Sequence, residues 1–517
     1  MKKMKSIMKK INYKFPLLAL IIMAAIFSCS EDYLEVEPKG TFLTENYYSN
    51  QDEAFAGLIA AYDFLRKNSG GFENMVTFMN AGSDDFVAGG GSPTDGMQLQ
   101  IFSNYTLNAI EMSTVFWSDP FKGVYRTNLM IQKLPDIPMD ESLKARYMAE
   151  SKALRAYYYF TLVRMFENVP LFTEPVSPAD VYNVVQASPE DVYTQIENDL
   201  REAIDVLPAF IPASELGRLT KGAAQAILGK VYLEQGSLFN DPDKKTKAAQ
   251  ILAEVNGTPG QSNQYGNKLL DNFDDLWDID NKFNSESILE ISHTNQSLAG
   301  WGNWGADNDE GNMICTMVGP RGYVDLDEND DVPAYSSGWS FNPVQQGLYD
   351  LMEFDPRFEA TILDCKSLEA EGKIEYAKGH LDTGYFLNKF APLVSEEHTG
   401  AGDMWLNHRQ NSYAIRLADT YLLEAEALGG TGARAQALLD AVRSRVGLPS
   451  IPVSLDAVLT ERRIELAGEG HRWFDLRRNG LLDSKLSDRG FIAGTHEIFP
   501  IPFKELENTQ IEQNPNY

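Results

Sequence analysis

The chain has 517 residues, with 45 basic against 74 acidic side chains and a formal net charge of −29. So acidic a surface repels phosphate backbones and anionic headgroups, which excludes nucleic acid and a basic-patch contact with lipid. With 43% hydrophobic and 11% aromatic residues the sequence is globular, and it is long enough to bury a large core.

Six lysines, at positions 2, 3, 5, 9, 10 and 14, precede an apolar stretch from Phe15 to Phe27 that is broken only by Pro16. This stretch is too short to span a bilayer and reads as a signal-peptide core. It ends Ile26-Phe27-Ser28-Cys29, which resembles a lipobox. Residues 1–28 are therefore expected to be removed and Cys29 to carry the lipid. The first 28 residues hold six lysines and no acid, so the mature chain carries −35. Ser30-Glu31-Asp32 resembles the acidic export tag of surface lipoproteins. The expected location is the outer face of the outer membrane, held by lipid at Cys29. No later segment offers eighteen apolar residues in a row.

Helical periodicity dominates residues 45–255 and 411–480. A long helix is expected over about 141–167, with Leu154, Tyr158, Thr161 and Met165 in step. The spacing of Val192, Ile196, Leu200, Ile204 and Leu207 predicts a helix over 188–207, with Ser188 as N-cap and Pro189 at its first position. Residues 220–235 form a helix rich in small residues, with Gly236 as C-terminal cap. A shorter helix follows at 243–255. Residues 412–428 and 432–446 make a pair broken at Gly429-Gly430. Such pairs resemble tetratricopeptide repeats, which stack because one pair cannot bury its apolar face alone.

Residues 256–410 are rich in Gly, Asn, Asp and Ser, and read as loops with short turns and one strand at 287–292. Residues 68–110 form a second irregular stretch. Its Gly89-Gly90-Gly91-Ser92-Pro93 lacks the Lys and Ser/Thr of a phosphate cradle. The run from Asp325 to Asp331 resembles the start of a calcium loop, but Asp330 and Ser336 stand where Gly and Glu are required. It reads as a solvated acidic loop. His380, His398 and His408 lack zinc spacing, and no hydrolase or dinucleotide fingerprint is present. Cys315 and Cys365 could pair or stay free.

Several blocks together resemble one family, the SusD/RagB outer-membrane lipoproteins. They are TERRIELAGEGHRWFDLRRNG (460–480), FPIPFKELENTQIEQNPNY (499–517), AESKALRAYYYFTLVRMFENVPLFTEP (149–175), RLTKGAAQAILGKVYLEQG (218–236), YAIRLADTYLLEAEAL (413–428) and YLEVEPKGTF (33–42). The resemblance runs in order through the mature chain. It implies a mostly α fold of about four tetratricopeptide-like helix pairs, with a loop-rich, short-strand region packed on one side. Three regions are expected: helical 29–255, loop-rich and ligand-binding 256–410, and helical 411–517. It also implies a binding protein without cofactor or metal, not an enzyme. Such a protein captures glycans or oligosaccharides and passes them to a SusC-like TonB-dependent transporter. Capture of peptides is the alternative, and a surface glycoside hydrolase a more distant one.

Within the His471–Asp475 block, Trp473 and Phe474 are expected to pack between repeats, with Arg472 and Asp475 paired to each other or to helix ends. Trp117 is read as structural too. The ligand candidates are aromatic residues in loops. Sugar rings carry C–H faces that stack on aromatic planes, while their hydroxyls need polar groups at the rim. Trp301, Trp304, Tyr323, Trp339 and Trp405 could supply the planes, with Tyr335 in the same region. Arg321, Asp307, Asn308 and Asp309 could supply the rim, and Asp84 and Asp85 further polar groups.

Overall fold

A computed structural model describes residues 47–177, 179–302, 309–326 and 332–517. Cys29 and the leader, Trp304, Asp307, Asn308 and Asp327–Asp331 lie outside the described residues. Residues Asn50–Tyr517 form one contact unit.

The protein is mostly helical. The principal helices are α1 (Gln51–Tyr62), α2 (Met75–Ala81), α3 (Met97–Ser103), α4 (Val115–Lys133), α5 (Glu141–Phe166), α6 (Pro189–Val206), α7 (Lys221–Leu238), α8 (Pro242–Asn256), α9 (Met313–Val318), α10 (Leu417–Ala427), α11 (Gly432–Arg445), α12 (Leu455–Glu465) and α13 (Arg472–Arg478). Each long helix packs on the next, α4 on α5, α5 on α6, α6 on α7 and α7 on α8. The stack then continues from α8 to α10 and from α10 to α11. This serial packing is the tetratricopeptide-like arrangement, in which each pair buries the apolar face of its neighbour.

The start of α6 follows its sequence. Ser188 Oγ accepts the Asp191 N–H at 3.1 Å, and Pro189 occupies the first helical position, where no donor is lost. Gly236 departs from expectation. It does not end α7, which continues to Leu238. A Cβ there would lie 2.7 Å from Lys245 Cγ and 2.8 Å from Lys245 N. The glycine is required by the close approach of α8, not by a cap.

Residues 412–416 also differ. They are strand, not the first turn of a helix. Three two-stranded antiparallel sheets occur: β1 (Ser287–Ile291) with β6 (Ser412–Arg416), β2 (Val324–Asp325) with β4 (Ile374–Glu375), and β3 (Ile362–Asp364) with β5 (Tyr385–Leu387). Leu289 stands opposite Ile415, and Glu290 opposite Tyr413. A short buried apolar run carries the same pattern as one turn of buried helix, so only its distant partner decides. The stretch 68–110, read as irregular, contains α2 and α3.

The C-terminal blocks are structural. Trp473 is fully buried, stacked on Phe499 at 5.2 Å and edge-on to Phe102 at 5.7 Å. Trp117 is buried against Phe121 and Phe166. Asp475 bonds Arg462 and Arg478, and Arg472 reaches Asp84 instead of Asp475. Cys315 and Cys365 are buried free thiols.

Candidate glycan-binding groove

An open groove of about 420 Å³ is lined by Phe72, Asp95, Gly96, Arg321 and Trp339. Its walls come from two stretches far apart in sequence, 72–96 and 321–339. Trp339 is placed by α9: its N–H donates to Thr316 O at 2.9 Å, while Ser340 N–H donates to Gly319 O and Phe341 N–H to Met317 O, each at 2.8 Å. The glycine-rich segment then runs alongside. Gly90 N–H donates to Ser340 O at 2.8 Å and Asn342 N–H to Ala88 O at 3.0 Å. A Cβ on Gly89, which sits at φ +69°, would stand 2.3 Å from Ser340 O. Those glycines therefore form a close backbone joint that brings 95–96 beside 339–341.

The aromatic wall is continuous. Trp301 stacks on Trp339 with centroids 5.9 Å apart and planes at 27°. Phe72 lies 6.2 Å from Trp339 and meets Phe341 edge-on at 5.4 Å. Trp301 remains 52% exposed, so one indole face is open to solvent. Its loop is held by the turn that carries Trp405: Asp403 N–H donates to Ala299 O at 2.8 Å and Asn407 Nδ2 to the same oxygen at 2.9 Å.

The polar rim is an arginine and a carboxylate. Arg321 Nη2 donates to Trp339 O at 3.0 Å and stands 3.7 Å from Asp95 Oδ2. That oxygen accepts the Gly91 N–H at 2.7 Å. Both side chains are a little over one-third exposed, so each has donors or acceptors left for a ligand hydroxyl. Arg321 Nε is buried without a hydrogen-bond partner.

Of the residues expected from sequence, Trp301, Trp339 and Arg321 come together here. Trp405 is partly buried on the supporting turn, its carbonyl accepting Thr316 Oγ1 at 2.5 Å, and it does not line the groove. Five others are engaged elsewhere. Tyr323 is buried in a small cluster with Cys365, Ile374 and Phe386, its hydroxyl donating to Pro333 O at 3.1 Å. Tyr335 meets it edge-on at 5.7 Å. Asp85 is buried and Asp84 nearly so, both against α12 and α13. Arg472 grips Asp84 at 2.7 and 2.9 Å, and Arg463 reaches Asp85 at 2.6 Å. Burial pushes the Asp84 carboxyl up, but the hydrogen bonds and charge of Arg472 outweigh it and hold it below its usual value. Asp309 is buried, and its carbonyl accepts Arg66 Nη1. Sequence reading missed Phe72 and Asp95. Their neighbours in sequence carry no binding signal, and they join the groove only through the Gly89–Gly91 joint.

Two family models match the chain: the SusD family over residues 350–517, and a family described as starch-binding and associating with the outer membrane over residues 32–233. A solved laminarin-binding SusD-like protein is 61% identical, with a TM-score of 0.88 over 91% of this chain and all of that one. The chain belongs to the SusD family. Surface glycan-binding protein A from Bacteroides thetaiotaomicron, in complex with laminarihexaose, is 25% identical with a TM-score of 0.79, over 90% of this chain and all of that one. SusD-like protein P25 from Formosa agariphila is 24% identical over 535 residues, covering 94% of this chain and 96% of the relative. Among the described residues, no helix of this SusD-family chain is long and apolar enough to cross a membrane.

Proposed function

We propose that this protein is a cell-surface glycan-capture lipoprotein whose cargo is laminarin-type β-1,3-glucan, bound in the Phe72–Asp95–Arg321–Trp339 groove with Trp301 extending the platform. The observation that carries the reading is the Trp301–Trp339 stack, with Trp301 half-exposed, beside an Arg–Asp rim, in a chain 61% identical to a laminarin-binding relative. A glucopyranose ring offers a flat C–H face to an indole, and its equatorial hydroxyls reach outward to Arg321 as acceptors and Asp95 as donors. The groove is shallow and wide, suited to the middle of a polymer and to release after capture.

Binding without turnover fits the carboxylates present. Among the described groove residues Asp95 is the one acid, and a glycosidase needs two flanking the bond. Delivery goes to a SusC-like TonB-dependent transporter. Lipid at Cys29 would keep the body beside that barrel at high effective concentration without a tight interface.

The test is isothermal titration of the mature chain with laminarin, starch, a peptide digest and a β-1,4-glucan. Laminarin should bind and remain chemically intact. Removing Trp339 should cost ~2 kcal/mol, ~30-fold in Kd. Binding of starch or peptides in preference to laminarin refutes the cargo; undiminished laminarin affinity in Trp339→Ala refutes the groove.

A further inference from the structure

Arg164, near the end of α5, is sandwiched between two rings. Its guanidinium carbon lies 4.3 Å from the Phe160 centroid and 4.2 Å from that of Phe474. Its Nε is buried without a hydrogen bond, and among the described residues no carboxylate lies within ion-pair distance of it. The nearby acid Glu234 is already taken by Arg477 at 3.3 Å and Arg478 at 3.8 Å. Burial draws the Arg164 pKa below its usual value, but a guanidinium is not deprotonated in proteins and the charge stays. Arg164 keeps partial solvent access, but a charge this enclosed is normally paired.

Arg164 forms part of the wall of a cavity of about 50 Å³, together with Asn68, Tyr157, Lys230, Glu469 and His471. The other charges on that wall are matched: Lys230 pairs with Asp419 at 2.8 Å, and Glu469 with Arg416 and Lys389, each at 2.8 Å. His471 is neutral near pH 7, because burial holds it down to about 4. A second cavity of similar size touches both Arg164 and Glu73, and among the described residues no ion pair joins the two. The first cavity has room for roughly three or four waters at ~10–15 Å³ each. A sugar ring does not fit, since ligand pockets run to roughly 300–1,000 Å³.

We propose that the cavity beside Arg164 is a binding site for one small monovalent anion, of chloride or nitrate size, which supplies the counter-charge that the chain itself withholds. Phe160 and Phe474 flank the guanidinium, and Arg164 retains partial solvent access through which an ion can enter. The site is separate from the glycan groove and does not depend on its assignment.

Crystals of the mature chain soaked in sodium bromide should show an anomalous peak in contact with Arg164. Thermal unfolding should give a Tm that rises saturably, by ~2 °C, in sodium chloride over sodium gluconate at equal ionic strength. Gluconate is too large for the cavity. Arg164→Gln should abolish the difference, and Arg164→Lys should retain part of it. The absence of a bromide peak in the wild-type crystal overturns the site, whatever the variants do. So does an equal Tm in chloride and gluconate, which would mean that water alone solvates Arg164.

Discussion

Asp85→Asn separates a structural role from a ligand role for the acidic pair at 84–85. Asp85 is 1% exposed, and its Oδ1 accepts from Arg463 at 2.6 Å. Its Oδ2 has no hydrogen bond and stands 3.8 Å from Arg472. An amide keeps the shape and removes the charge, leaving Arg463 with only Asp84, 3.8 Å away. Breaking a buried pair costs ~3–5 kcal/mol. Burial already pushes the Asp85 carboxyl above its usual range, and Arg463 is 17% exposed and keeps that second acid, which together bring the expected loss down to about 2–3 kcal/mol. At ~2.1 cal/mol/K per residue, the Asn50–Tyr517 unit taken as cooperative has an unfolding entropy of ~1 kcal/mol/K, so Tm falls by ~2–3 °C. Laminarin affinity should stay within ~2-fold, because the clamp lies outside the groove. Calorimetric Tm and titration on one preparation give both numbers. An unchanged Tm with a tenfold weaker Kd would show that Asp85 meets ligand, and the reasoning fails.

Trp301→Ala should weaken laminarin binding less than Trp339→Ala, by ~1 kcal/mol or roughly 5-fold, because Trp301 covers one face only; the reverse order by titration would rule out the platform geometry. Stability should fall on acidification in two stages. His293, His408 and His471 are each held down to about 4 by burial; the unfolded chain takes up their protons first, so stability present above about pH 6.5 is lost between there and about 4. Asp475 is held at about 2 by Arg462 and Arg478 against its burial, so its contribution is present above about pH 4 and lost as pH falls toward 2. A Tm constant from pH 7 to 4.5 contradicts the first stage. Gly236→Leu should cost more than ~2 kcal/mol by urea unfolding, because the side chain meets Lys245 backbone on α8; a loss under ~0.5 kcal/mol would mean that α8 moves freely.

What could be read in the sequence was what is local. Ser188-Pro189 announces α6 because a cap and its donor lie three residues apart. The family blocks announce the helical scaffold because their residues bond one another or adjacent helices. Trp301, Trp339 and Arg321 were accessible as candidates because aromatic residues in glycine-flanked loops are unusual. Phe72 and Asp95 were not, since nothing in sequence brings them to Trp339 before the Gly89–Gly91 joint forms against Ser340 and Phe341. The same limit explains 412–416, where the strand partner lies more than 120 residues earlier, and Asp84-Asp85, whose arginines lie 378 and 388 residues later.

Arg489 gives that last distance a consequence in time. Its guanidinium donates to Ala81 O, Phe86 O and Ser103 O at 2.7–2.9 Å, and also to Ser83 O. One side chain thereby closes the ends of α2 and α3 and the turn between them, the same stretch that contributes Asp95 and Gly96 to the groove. Chains emerge N-terminus first, so residues 81–103 are made long before the residue that closes them. A nascent or clipped polypeptide lacking its last thirty residues would display Trp301 and Trp339 without a fixed opposite wall.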